Sequence, residues 1–370
     1  MADFSQVDDV AAANIAQIND VPFANCGQVN DCTKAASGAT VWVQVKGARD
    51  VAFASNSDLT SWTTYDARAI GGDPPGSAVD FLAVTYGKDG SGSARWCASL
   101  ATDNGELMYK DNAAASGDWT VVQNDFRLFD LCWGNNVWLA VGQMSSGAGQ
   151  NVLRSTDGAT WSEVDVSSVS GTVNTSCYAV VYSGSGGTFY FAQQNRIYKS
   201  TDSGASWSLA HTLVDSGGSD PGDIRSLQVT NNSMVAYVKG GGEIFSCALS
   251  DDTDWSTETS LTSAANVNLN SRVAAGNGRW VMVYNAKYWA ADINGKTITL
   301  EHNNADISSD THGNANAVCT DGSGKFVVGC TDGDILVSTD NADSFSKQGA
   351  DAVSGSEEAE AMAGDIYLPV

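Results

Sequence analysis

The fold is predicted by one short stretch, Ser155-Thr156-Asp157-Gly158-Ala159-Thr160-Trp161, because variants of it recur along the chain. Two of them keep the Ser-Thr-Asp start, and the others are looser. The six further copies end at Trp62, Trp119, Trp207, Trp255, Ile298 and Phe345. The seven copies follow one another about every 47 residues, a period typical of repeat architectures.

Seven copies at this period predict seven units of four strands each, as in a β-propeller. The Asp of each copy suits a tight turn, because its carboxylate accepts hydrogen bonds from the backbone N–H groups that follow. Gly permits positive φ in the same turn. Helical periodicity is nearly absent. The chain is therefore predicted to be all-β, with a seven-bladed β-propeller over residues 37–370 and an N-terminal arm over residues 1–36.

The repeated pattern resembles the Asp-box (S-x-D-x-G-x-T-W, also called the BNR repeat) of sialidase-like and sortilin-like propellers. The resemblance implies an architectural role for the repeat, with each Trp covering its hairpin. The residues carrying this role are Asp58, Trp62, Trp119, Asp157, Gly158, Trp161, Asp202, Gly204, Trp207, Asp251, Trp255, Asn294, Gly295, Asp340 and Phe345.

The two chain ends predict how the ring closes. The C-terminal residues 360–370 resemble the first half of a blade, whereas the copy at Trp62 lacks a full blade before it. We expect the C-terminal strand or strands to complete the first blade, which removes free strand edges. The run Val41–Val45 also resembles a second strand, so the sequence leaves the division of strands between the two ends open.

Composition restricts the function. The net charge of −24 disfavours nucleic acid as a partner, and no apolar run is long enough for a membrane-spanning helix. The eight Cys form no Cys-x-x-Cys pair, and the three His are not spaced as ligands to them. The start of the chain lacks the basic and apolar regions of a secretory signal. We expect free buried thiols, no metal and no cofactor, although the run Asp251-Asp252-Thr253-Asp254 leaves calcium open.

The arm contains three tandem copies of an eleven-residue unit, in which apolar or Cys positions stay in register. These positions are Phe4, Val7, Val10, Ile15, Ile18, Val21, Cys26, Val29 and Cys32. Asp and Asn recur in each unit and Pro22 interrupts the run, which favours turns between short strands. Three short repeats bury little apolar surface alone, so the arm is predicted to dock on another protein or on copies of itself.

The arm resembles N-terminal segments of tailed-bacteriophage virion proteins, especially marine ones. The resemblance implies a structural protein of the virion, such as a tail fibre, a spike or a capsid-attached decoration protein, assembled in the host cytoplasm. Its partners would be other virion proteins, through the arm, and a host-surface glycan or protein, through the propeller.

The arginines of the chain bear on an enzymatic alternative. Sialidases need three of them for the substrate carboxylate, together with a Tyr–Glu pair and an Asp acid. Arg68 and Arg127 are the best candidates here, and no Arg-Ile-Pro triplet is present. A pair of catalytic carboxylates stays open among the 43 acids. We expect a non-enzymatic host-attachment protein, with a carbohydrate-active or assembly-factor propeller as the alternative. Trp133 and Trp289 are candidates for stacking on sugars or, more simply, for the core.

Overall fold

The computed structural model describes residues 17–18, 21–22, 41–46, 50–66, 81–100, 106–111, 119–123, 126–144, 151–170, 175–184, 186–264, 272–309, 311–348 and 359–364. The chain divides into two compact units, Met1–Ala36 and Ser37–Val370. In the first unit, β1 (Gln17–Ile18) pairs antiparallel with β2 (Val21–Pro22), and Ile18 lies opposite Val21. The other predicted docking positions of the arm lie outside the described residues.

The second unit consists of seven antiparallel sheets of four strands each. In chain order the strands are β3 (Val41–Lys46), β4 (Asp50–Ser55) and β5 (Asp58–Asp66) in blade 1; β6 (Phe81–Lys88), β7 (Ala94–Leu100), β8 (Glu106–Lys110) and β9 (Thr120–Gln123) in blade 2; β10 (Phe126–Gly134), β11 (Val137–Met144), β12 (Val152–Ser155) and β13 (Ser162–Val164) in blade 3; and β14 (Cys177–Tyr182), β15 (Phe189–Gln193), β16 (Arg196–Ser200) and β17 (Ser208–Thr212) in blade 4.

The remaining strands are β18 (Ile224–Thr230), β19 (Ser233–Val238), β20 (Glu243–Ala248) and β21 (Thr259–Ser260) in blade 5; β22 (Val273–Gly276), β23 (Arg279–Tyr284), β24 (Lys287–Asn294) and β25 (Thr297–Asp306) in blade 6; and β26 (Ala315–Thr320), β27 (Phe326–Cys330), β28 (Ile335–Ser338) and β29 (Ser346–Lys347) in blade 7. The last strand, β30 (Ala359–Gly364), belongs to blade 1. A four-residue helix, α1 (Ser167–Ser170), lies between blades 3 and 4.

The first strands of neighbouring blades contact one another in a closed cycle: β30, β6, β10, β14, β18, β22, β26 and β30 again. The protein is therefore a seven-bladed β-propeller, as predicted. Strands in the middle of a blade are covered on both faces by adjacent blades, so β19 is buried at every position. The outermost strand β25 instead alternates between exposed and partly buried residues.

The closing blade takes one strand from the C-terminus and three from the N-terminal side. β30 pairs antiparallel with β3, and Met362 lies opposite Gln44. The predicted closure by the C-terminal strand is thus confirmed. It also settles the division of strands that the sequence left open, because Val41–Lys46 forms the second strand of this blade.

The described core lies between blades. Each of seven apolar clusters combines side chains from two adjacent blades, and together the clusters cover all seven blade boundaries. Trp289 is 1 % exposed and packs between blades 5 and 6, so it belongs to the core. Trp133 packs beside Trp138 at the boundary of blades 2 and 3. Within the described residues, no helix is long and apolar enough to cross a membrane.

Candidate functional site

The two ends of the ring carry different chemistry. Each blade runs antiparallel in the order first to fourth strand, so the turns between strands 3 and 4 lie at one end of the ring. The first strands begin at the other end. We call the first the motif end, because the repeated pattern forms its turns. We call the other the bulge end, after the β-bulges near the start of the first strands.

The motif turn of blade 3 shows the role of the repeated Asp. The Asp157 carboxylate accepts hydrogen bonds from the N–H groups of Ala159 (2.8 Å) and Thr160 (2.7 Å). The Ser155 hydroxyl donates to the same carboxylate at 2.9 Å and accepts the N–H of Gly158 at 2.8 Å. Burial raises the pKa of Asp157, but these hydrogen bonds outweigh burial and leave the pKa below its ordinary value.

The other motif turns repeat this geometry. Asp202 accepts the Ser206 N–H (2.9 Å) and hydroxyl (2.6 Å), and Asp340 contacts Ser344 in the same way. Asp58 and Asp251 accept N–H groups two residues further on, at 3.0 and 3.3 Å. Three motif indoles each donate to the carbonyl three residues before them, at 2.9 to 3.1 Å; these are Trp62, Trp161 and Trp255. The repeat thus closes its own turns.

Several motif residues pack differently from this pattern. Trp119 is 1 % exposed and donates to the Tyr65 hydroxyl of blade 1 at 3.0 Å. In blade 6 the turn shortens, so that Asn294 pairs directly with Thr297 across Gly295. Trp207 and Phe345 are 8 and 7 % exposed.

Three motif glycines have positive φ, 72° at Gly158, 78° at Gly204 and 58° at Gly295. A Cβ at Gly204 would lie 2.6 Å from a Leu139 methyl group of blade 3. At this position the preceding blade approaches the turn so closely that a side chain would collide with it.

Basic side chains of one blade reach the motif turn of the next. Arg95 of blade 2 donates to the Asp157 carbonyl (2.5 Å), and Arg154 of blade 3 donates to the Ser203 carbonyl (2.8 Å). The same link recurs as Lys199–Asp252 (2.6 Å), Arg279–Asp343 (2.6 Å) and Lys325–Asn56 (2.5 Å). We call these contacts between blades clasps. They were not predicted from the sequence, in which only the position of Arg154 just before its motif indicated such a role. The basic residues of these clasps therefore hold neighbouring blades together.

The acidic run of blade 5 is used in the same way. Asp252 is 9 % exposed and accepts the Tyr190 hydroxyl (2.6 Å) as well as Lys199. Burial and the Asp252 contact raise the pKa of Tyr190. Asp251 bonds Thr253, and Asp254 pairs with Lys296. In the described part of the chain, no group of His, Cys, Asp or Glu is arranged to hold a metal ion.

The six described thiols are Cys97, Cys132, Cys177, Cys247, Cys319 and Cys330, and all are free. Burial raises the pKa of each. Thiols held protonated in this way are poor nucleophiles.

The bulge end is defined by a β-bulge at the same place in the first strand of six blades. In each case two residues of the first strand face one residue of the second. The extra residues, called the bulge residues, are Leu82, Phe129, Tyr178, Arg225, Asn316 and Glu360. Bulges of this kind redirect a side chain and are frequent beside functional sites. This position carries no common residue type, so no repeat in the sequence could have revealed it.

The bulge residues of three adjacent blades form a continuous row. The Phe129 and Tyr178 rings lie 4.9 Å apart, and the Arg225 guanidinium lies 3.5 Å from the centre of the Tyr178 ring. Arg127, which is exposed, lies 5.5 Å from the Phe129 ring. We call these four residues the Arg–aromatic row. Among the arginines proposed for an enzyme, Arg127 is in this row, and Arg68 lies outside the described residues.

Arg225 is held with only part of its guanidinium satisfied. Its Nη2 pairs with Asp223 at 2.8 Å, whereas its buried Nε has no hydrogen-bond partner. The Arg225 side chain is 13 % exposed and that of Asp223 is 42 % exposed. At the start of the next blade, Arg272 donates to Asn316 of blade 7 at 3.1 Å. Residues 67–80 and 145–150, which connect strands of the propeller, lie outside the described residues.

No protein-family model matches the chain, and no curated protein sequence matches it. Solved structures share the fold at low identity. YCF48 from Cyanidioschyzon merolae is 12 % identical with a TM-score of 0.54, covering 78 % of this chain and 95 % of that one. YCF48 bound to the D1 peptide is 16 % identical with a TM-score of 0.50, covering 72 and 81 %. A candidate 6-phosphogluconolactonase from Bacteroides uniformis is 9 % identical with a TM-score of 0.58, covering 88 and 99 %. These likenesses establish the propeller class of fold.

Proposed function

We propose that the protein is a non-enzymatic binding propeller of a virion, whose bulge end binds a carboxylate group on a host-surface glycan or protein. The observation that carries this proposal is the Arg–aromatic row, in which three blades place two cations and two rings side by side. Such a row suits a ligand with a negative group next to a flat or apolar one.

The charge of the chain strengthens the argument. With 43 acidic and only 19 basic residues, a cation is scarce here. At the motif end the arginines and lysines bind carbonyl and carboxylate groups of the next blade. Arg225 instead pairs through Nη2 with Asp223, which lies two residues before it in the chain. A ligand carboxylate in place of Asp223 would engage both Nε and Nη2, the two-pronged geometry that Arg favours.

The carrier role rests on the arm. The eleven-residue units supply regularly spaced apolar positions, and their resemblance to phage virion proteins supports anchoring to other virion proteins or self-association. The solution mass of the full chain beside a chain that starts at Ser37 tests this part. We expect the full chain to form a larger oligomer than the shorter one. Two monomers that also fail to bind particles of the virus would contradict the anchoring role.

The binding role is tested on an array carrying neutral glycans, uronate and sialylated glycans, and peptides with and without acidic residues. We expect signals from carboxylate-bearing members alone, and the array shows whether their source is glycan or protein. Arg225→Lys keeps the charge but loses the fork, so binding should fall at least tenfold. Asp223→Asn removes the internal competitor and should strengthen binding several-fold.

Lys296→Gln is the matched control, because it removes one positive charge at the motif end. It should bind as the unmodified protein does. Binding that is indifferent to Arg225→Lys would overturn the assignment of the Arg–aromatic row. Release of a cleaved product from a bound glycan would instead establish the enzymatic alternative.

A further inference from the structure

The closing blade differs from the other six in how its first strand is held. In blades 2 to 7 a turn joins the first strand covalently to the second, as Asn135 and Asn136 join β10 to β11. In blade 1 the first strand is β30, from the opposite end of the chain. Only noncovalent contacts therefore tie β30 to β3. When β30 leaves, it gives up its packing against β6 and β26, but the sheet of every other blade keeps its four strands.

The second strand of this blade carries a polar residue where others are apolar. Gln44 is fully buried, and neither its amide nitrogen nor its amide oxygen has a hydrogen-bond partner. It pairs with the second residue after the bulge. In the other bulged blades the residues at this position, all fully buried, are Ala98, Ala140, Phe191, Ala236 and Val328. Among these six equivalent positions, only Gln44 carries a polar side chain.

This residue lowers the stability of the closed blade. A buried amide without partners loses its hydration with no compensating bond, and it regains water when the strand beside it departs. β30 also contributes little apolar area, since its sequence is Ala-Glu-Ala-Met-Ala-Gly with one large apolar side chain, Met362. In comparison, β14 reads Cys-Tyr-Ala-Val-Val-Tyr. β30 thus buries less apolar side-chain area than a first strand such as β14.

We propose that β30 exchanges between copies of the chain, so that β30 of one copy completes blade 1 of another. The occupant fits by construction, because the register of Met362 opposite Gln44 is available equally within a copy and between copies. A second copy of this chain is thus the partner of the β3 edge. This inference is independent of the ligand at the bulge end.

Intermolecular disulfide capture tests the exchange with full-length chains. Lys46 lies opposite Ala359 in the register of β3 and β30. A chain carrying Lys46→Cys is mixed with one carrying Ala359→Cys under oxidised glutathione, and each variant incubated alone gives the background from native thiols. Exchange predicts a covalent pair of chains in the mixture above that background. The double variant Lys46→Cys/Ala359→Cys in one chain shows that the bond can form.

Gln44→Leu supplies the second arm. It removes the orphan amide and should raise stability, so failure to fold does not confuse the result. Introduced into the Lys46→Cys partner, it should slow formation of the covalent pair about tenfold. Val328→Gln is the matched control, because it buries the same amide in a blade whose first strand is covalently continuous; it should leave the rate within about twofold. The proposal is overturned by a mixture that stays at background while the double variant oxidises, or by an unchanged rate with Gln44→Leu.

Discussion

Two arginines show how the ends of the ring differ. Arg95 lies at the motif end, 4.3 Å from the Tyr109 ring, and pairs with Asp111 at 2.7 Å. Arg225 lies at the bulge end, 3.5 Å from the Tyr178 ring, and pairs with Asp223 at 2.8 Å. The surroundings match up to this point. Arg95 then makes a third contact, to the Asp157 carbonyl of the next blade, whereas the Nε of Arg225 has no partner.

The difference separates contacts that hold the ring together from those that we propose for ligand binding. At the motif end, the basic side chains of five blades each bind the motif turn of the next blade, so a substitution there should act on stability. At the bulge end, the one ion pair of Arg225 lies within its own blade, and we propose that its guanidinium serves a ligand. The predictions below test this contrast.

The largest effect is expected from the motif aromatics. Trp119→Ala should lower the free energy of unfolding by about 3–5 kcal/mol, because Trp119 is 1 % exposed and its indole binds Tyr65 of the neighbouring blade. Trp161→Ala should cost clearly less, since Trp161 is only partly buried. Denaturant unfolding of both variants measures the difference. Equal losses would show that burial does not rank the motif residues.

A smaller loss is expected at a motif glycine. Gly204→Ala should lower the free energy of unfolding by about 1–3 kcal/mol, because φ is 78° and the new methyl group meets Leu139 of blade 3. Gly186→Ala is the matched control, since Gly186 also has positive φ but open space around it. It should cost only the backbone part. A control as destabilised as Gly204→Ala would remove the role of the close blade contact.

The features that could be predicted from the sequence are those that repeat in every blade. Period and turn chemistry predicted seven blades and a closing strand, because every blade needs the same hairpin. The clasps could not be predicted, because Arg95 and Asp157 are 62 residues apart in the chain and come into contact only when the ring of blades forms. The Arg–aromatic row escaped for a second reason: Phe129, Tyr178 and Arg225 share a backbone position but no residue type. The proposed binding site thus lies at positions where the blades differ in residue type.

The smallest effect concerns pH. The Ser206 hydroxyl and backbone N–H lower the pKa of Asp202 to about 2, against an ordinary 3.8. A lowered folded-state pKa means that this contribution to stability is full above pH 4 and is lost as pH falls toward 2. Asp202→Asn should therefore flatten the acid dependence of unfolding in that window, modestly because the turn is exposed. Acid titrations of the variant and the unmodified protein measure it, and identical slopes would contradict the assignment.

The most direct test of the contrast compares Arg95→Met with Arg225→Met in the full-length protein, by denaturant unfolding and by binding to the carboxylate-bearing members of the array. We expect Arg95→Met to lower the free energy of unfolding by about 1–3 kcal/mol and to keep its binding. Arg225→Met should change stability by less than about 1 kcal/mol and lose at least tenfold in binding. If Arg225→Met instead destabilises the ring as Arg95→Met does and binds undiminished, the bulge end is one more structural clasp and the account is wrong.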